Sequence, residues 1–140
     1  MLVSTRQPND TTAASRKMIP PCPDSPNCVS SAPGTDTEHI VEPLHYPGTL
    51  DEAKTHLLAI IHAMPRTQIV QNDSHYLHVE CTSLLLRFVD DVEFWFDAET
   101  PLVHVRSASR VGYSDLGANR KRVESIRSQW KNRVETPNQS

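Results

Sequence analysis

The densest chemistry in this chain lies in the run Arg106-Ser-Ala-Ser-Arg110-Val-Gly-Tyr-Ser-Asp115-Leu-Gly-Ala-Asn-Arg120. Two of only four glycines fall here, among arginines, serines, an aspartate and an asparagine. The run reads as the end of a strand passing into the start of a helix, where backbone N–H groups have no partner inside the helix. Arg106, Ser107, Ser109, Arg110 and Asn119 are therefore candidate ligand-binding residues for a small anion. Guanidinium groups take acid oxygens in pairs, and the helix start adds donors. Asn119 stands three residues after Leu116 and four before Val123, on the apolar stripe of that helix. A buried amide needs partners, because leaving one unpaired costs about 1–3 kcal/mol. Those partners are either a ligand or the protein's own loop; in the second case the arginines pair with Asp90, Asp91 or Glu93.

Other residues of reactive type are weighed the same way. Asp90 and Asp91 are candidate general bases, with Glu93 close behind, and crowded carboxylates raise one another's pKa when buried. Combined with the arginine–serine run as a cradle for a negative transition state, they define a hydrolase-like alternative. Pairing with the later arginines and lysines is the plainer role. Ser114 lies in Gly112-Tyr-Ser-Asp-Leu-Gly117, which resembles a nucleophile elbow with one residue too many before the second glycine, so it reads as a helix cap. The seven histidines are scattered and form no His-Glu-x-x-His pattern. Cys22 and Cys28 bracket Pro-Asp-Ser-Pro-Asn. They form a disulfide worth about 2 kcal/mol by chain entropy, or an inert reduced pair, or half of a metal site. The third option lacks two further ligands and a usual zinc spacing, so no metal and no cofactor is expected. Cys81 falls in an alternating pattern and reads as a small core residue.

The bulk properties narrow the classes. At 140 residues the chain is read as one domain between a disordered lead (1–20) and a polar tail (135–140), with the fold in 21–134. A formal charge of −3 gives no global attraction to nucleic acid. The basic residues of the last helix, from Arg120 to Arg133, spread around it and read as a solvated face. No apolar run reaches the length of a membrane span, and the first residues lack the apolar stretch of a secretory signal. The expectation is a cytoplasmic chain.

The elements that must position these residues follow from periodicity. Eight of eleven prolines fall in the first 47 residues, and Pro20 to Pro33 reads as an irregular loop. Glu38 to Tyr46 reads as an edge strand interrupted by Pro43, with Ile40, Leu44 and Tyr46 on one face and His39, Val41 and His45 on the other. Thr49-Leu-Asp-Glu52 is a capping box, and Leu50, Ala53, Leu57, Ile61 and Met64 form one helical stripe, ended by Pro65. Thr67–Val70, Tyr76–Cys81, Leu84–Asp97 and Leu102–Ala108 follow as strands. In the third of these Leu86, Phe88, Val92, Phe94 and Phe96 share the inward face, which also turns Asp90 inward. The opposite face would carry His78, Glu80, Arg87, Glu93, Trp95, His104 and Arg106 as a solvated surface, with His78 and His104 as possible neighbours and Trp95 as a contact point for a partner. The last helix begins after Ser114 or Asp115 and buries Leu116, Val123, Ile126 and Trp130. Together these give an α+β domain: a twisted antiparallel sheet of four to five strands with two helices packed on one face.

Three blocks then occur in order: Cys22-Pro-Asp-Ser-Pro-Asn-Cys28-Val-Ser-Ser31, Arg87-Phe-Val-Asp-Asp91-Val-Glu-Phe94 and Val105 through Glu124. With them the chain resembles the domain of unknown function 1499 family over roughly Pro21 to Trp130. The resemblance implies a bacterial or plastid relationship, and with it a periplasmic or plastid-lumen alternative for the location. It supplies no catalytic residue. The leading expectation is a non-catalytic binder of a small anionic ligand or an acidic group of a partner protein. The hydrolase-like enzyme and a structural or assembly role through Trp95 are the alternatives.

Overall fold

Alternating apolar and polar residues from position 76 onward build the centre of a six-stranded antiparallel sheet. The computed structural model describes residues 19–111 and 117–134. In chain order the elements are β1 (Cys28–Ser30), β2 (Leu44–His45), α1 (Leu50–Ala63), β3 (Thr67–Asn72), β4 (Tyr76–Thr82), β5 (Val89–Asp97), β6 (Leu102–Ser109) and α2 (Ala118–Val134). The sheet runs β1-β6-β5-β4-β3, and β2 pairs with the same edge of β6 further along. Among the described residues no helix is long and apolar enough to cross a membrane.

The inner face carries Leu77, Val79 and Cys81 of β4, Val92, Phe94 and Phe96 of β5, and Val103 and Val105 of β6. Onto it pack Ala53, Leu57, Ile60 and Ile61 of α1 and Val123, Ile126, Trp130 and Val134 of α2. The α1 start is the expected capping box: Glu52 N–H donates to Thr49 Oγ1, and Thr49 N–H donates to Glu52 Oε1, both at 3.1 Å. Gly48, at φ +79°, brings the chain into that cap in a conformation that L side chains rarely adopt.

Several expectations are corrected. The Pro20–Pro33 loop contains a strand: Cys28, Val29 and Ser30 lie opposite Ala108, Ser107 and Arg106. Between Glu38 and Tyr46 only Leu44–His45 is strand, and no single alternation runs through the segment: His39 and Val41 are buried and Ile40 is exposed, yet Leu44 and Tyr46, expected on the face of Ile40, are buried as well. A short bridge between Ser30 and Ile40 turns the backbone there. The strand expected from Leu84 begins only at Val89, and Leu84, Leu86 and Phe88 are exposed on a turn instead of buried. Trp95 is not a solvated contact point. It is 3% exposed and sits in a second cluster with Tyr76, Ile19 and Ala32, because the segment running into and out of β1 covers this part of the outer face. The expected lead and tail lie largely outside the described residues, as do Ser114, Asp115 and Leu116, which were expected at the start of the last helix.

Candidate functional site

Strand alternation divides the candidate residues between two faces of the sheet. Ser107 is opposite Val92 on the inner row, while Arg106 is opposite Glu93 on the outer row. Ser107 of β6 and Asn119, in the first turn of α2, are fully buried. The Asn119 amide uses all its hydrogen-bonding capacity within the protein. Its Nδ2 donates to the Asn27 carbonyl at 3.1 Å and to Ser109 Oγ at 3.0 Å. Its Oδ1 accepts from Ser107 Oγ at 2.5 Å and from Arg122 Nη1 at 2.9 Å. Arg122 also meets Asp90 Oδ2 at 2.9 Å, so the inward-facing aspartate is paired rather than isolated. Asn119 thus ties three pieces of chain together: α2, β6 and the turn before β1. Arg122, one helical turn after Asn119, belongs to this network and not to a solvated face. The i, i+3 spacing of Asn119 and Arg122 was the signal for it.

The outer row holds the other half. Arg110 grips Asp91 through Nε (2.8 Å) and Nη2 (2.9 Å), and reaches Glu80 Oε2 at 2.6 Å. His78 Nε2 lies 2.8 Å from Asp91 Oδ1. Burial alone would raise the Asp91 pKa, but the hydrogen bonds from His78 and Arg110 outweigh it and hold the carboxyl well below the usual carboxylate range. Tyr76 donates its hydroxyl to Glu93. Burial, then that carboxylate, pushes the phenol far above its ordinary value, so it remains a donor. His78 and His104 are not neighbours: His104 Nδ1 is 3.0 Å from Ser31 Oγ on the next row but one.

Between this row and the loop before β1 lies a cleft of about 360 Å³. Its floor is His78, Asp91, Glu93 and Arg106, and its wall is Pro23, Ser25, Asn27 and Cys28. The wall is braced by a disulfide joining Cys22 and Cys28, whose Cα atoms are 5.8 Å apart. His39 steadies it further, with Nδ1 2.5 Å from Asp36 Oδ1 and Nε2 2.6 Å from the Ser25 carbonyl. Of the five expected ligand residues, Arg106 and Ser109 line the cleft. Arg110 stands beside it, engaged with Asp91 and Glu80. His78 and Glu93 were read as surface, and the wall as a plain loop; a fold that lays a loop over one sheet face has no periodic signature. Arg106 is the least satisfied member. Its Nη1 is 3.7 Å from Glu93 Oε1, too long for a hydrogen bond, and its Nε is buried with no hydrogen-bond partner.

Among the described residues no group of three or more His, Cys, Asp or Glu side chains is disposed to hold a metal ion. No curated protein matches the sequence. A family model, described as a protein of unknown function (DUF1499), matches residues 18–130, a span that contains both the Asn119 network and the cleft. The chain belongs to that family of unknown function, DUF1499.

Proposed function

We propose that the protein is a non-catalytic binder whose ligand occupies the outer-face cleft and places an acid oxygen against Arg106. The observation that carries this reading is the buried Arg106 Nε without a hydrogen-bond partner. A buried donor of this kind calls for an acceptor, and leaving it unmet is costly. The surroundings refine the ligand. Asp91 is already matched by Arg110 and His78, whereas Glu93 faces Arg106 across 3.7 Å. A dianion such as phosphate meets repulsion from Glu93. A monocarboxylate that also carries a hydroxyl or ammonium group satisfies both, with its acid on Arg106 and its donor on Glu93. Ser107 and Asn119 leave the ligand set, since their side chains serve the interior.

What weighs against a hydrolase is the state of its proposed bases. Asp90 is held by Arg122, and Asp91, with its depressed pKa, is a poor proton acceptor. The binding reading is tested by thermal shift and calorimetry with hydroxy and amino monocarboxylates beside phosphorylated compounds. Arg106→Met should weaken binding roughly ten- to a hundredfold, as expected for one charge-assisted hydrogen bond. Binding that survives in Arg106→Met, or a panel in which only phosphates bind, would overturn it.

A further inference from the structure

At the far end of the β4–β5 hairpin the chain displays Leu84, Leu85, Leu86 and Phe88, which are 62%, 87%, 68% and 44% exposed. No other stretch of the described residues exposes large apolar side chains in succession. A patch of this kind in a folded domain marks a contact surface. The tip is built rather than loose. Ser83 N–H donates to the Phe88 carbonyl, and Phe88 N–H returns to Ser83 Oγ, both at 2.9 Å. Arg87 closes the turn in the left-handed region at φ +59°, which is uncommon for a residue other than glycine.

We infer that this tip is a lipid-docking wedge, in which the three leucines and Phe88 enter the interfacial zone of an anionic bilayer while Arg66 and Arg87 meet headgroup phosphates. Two observations favour a bilayer over a protein groove. The first is shape. Consecutive residues of a turn project in diverging directions, so the wedge is convex and apolar on several sides. A protein groove accepts one face of a helix or strand, whereas fluid hydrocarbon accepts all sides at once. The second is charge. Arg66 is joined to the hairpin base by Nε to the Thr82 carbonyl at 3.1 Å, and Arg87 sits within the tip. Both are exposed, and neither is in an ion pair among the described residues. The nearest acidic groups down the strands, Glu80 and Asp91, are engaged by Arg110, and Asp90 is engaged by Arg122. Among the described residues, this end of the sheet therefore presents apolar side chains flanked by two unpaired arginines, which suits an acidic lipid surface.

The test uses the full chain and vesicles of phosphatidylcholine with or without phosphatidylglycerol. Co-sedimentation should require the anionic lipid. The Leu85→Ser, Leu86→Ser double variant should bind at least about tenfold more weakly, and Arg87→Glu about fivefold or more. All the changed side chains are exposed, so an unaltered melting temperature shows the fold intact. A separate Leu85→Trp protein should show blue-shifted emission on adding anionic vesicles, against the constant signal of the buried Trp95 and Trp130. Water-like emission unmoved by vesicles overturns the inference even if the serine variant fails to fold. Wild-type protein that stays in the supernatant overturns it too. So does a dimer, seen by sedimentation velocity, that Leu85→Ser dissolves without any vesicle binding; in that case the tip docks on a second copy.

Discussion

Asn119 is an amide on an otherwise apolar helical stripe, and the structure gives it four internal partners. Asn119→Ala should therefore cost about 2–3 kcal/mol, since it strands Ser107, Ser109, Arg122 and the Asn27 carbonyl together. Arg122→Met should cost more, about 3–5 kcal/mol, because it leaves the Asp90 carboxylate buried without its counter-charge. Urea denaturation reads both, and adding Asp90→Asn to Arg122→Met should recover part of the loss. Changes below about 0.5 kcal/mol would mean that the network contributes little. The burial of Asn119 and the inward turn of Asp90 were legible in the sequence, because helical and strand periods dictate them. The grouping of Arg106 and Arg110 with Ser107 and Asn119 was not sound. The two-residue period of β6 sends Arg106, and Arg110 just beyond the strand, to one face and Ser107 to the other.

At the scale of elements, α1 could be read almost to the residue, since a capping box, a stripe and a proline each mark it. β1 could not, because three residues between prolines give no period to detect. The leucines at 84–86 misled for another reason: their composition suits a strand, but the hairpin turns there and leaves them outside. Two histidines carry opposing pH signatures: His39, in the segment between β1 and β2, and His104 of β6, whose ring meets Ser31 of that segment. The Asp36 carboxylate, then the Ser25 carbonyl, raises the His39 pKa. Its protonated form thus stabilises the fold fully below the unfolded value of about 6.5, and that support is lost as pH rises through the folded value. His104 is shifted the other way by burial, so its neutral form is favoured and stability is lost as pH falls below about 6.5. The denaturation midpoint should therefore decline on both sides. His39→Gln should flatten the alkaline limb and His104→Gln the acid limb. Limbs unchanged by these substitutions would assign the titration to other groups.

The architecture of the whole molecule, a twisted sheet with both helices on one side, follows from the order of the elements and their apolar faces. The layer on the other side does not, since the covering segment is irregular and its contacts with Trp95 and Tyr76 are set only once the strands are in register. The disulfide anchors that layer across a separation of six residues. A Cys22→Ser, Cys28→Ser variant should lose about 2 kcal/mol by chain entropy, and more than that if the cleft wall comes away with it. The same variant should also lose the ligand-induced thermal shift, because Pro23, Ser25 and Asn27 would no longer be held against the floor. A variant that keeps full binding would show that His39 and the β1 pairing hold the wall by themselves. The pairing of β1 with β6 also fixes an order of events during synthesis. Among the described residues, the earliest strand has its place only beside the latest, with Cys28 opposite Ala108. Contacts so distant along the chain form slowly. Until Leu102–Ser109 has emerged, the early segment has no edge to join, and the side of the sheet bearing Trp95 stays uncovered. The nascent chain thus passes through an interval in which its greasiest outer residues are open to chaperones, and a transcript truncated before β6 would leave it there permanently.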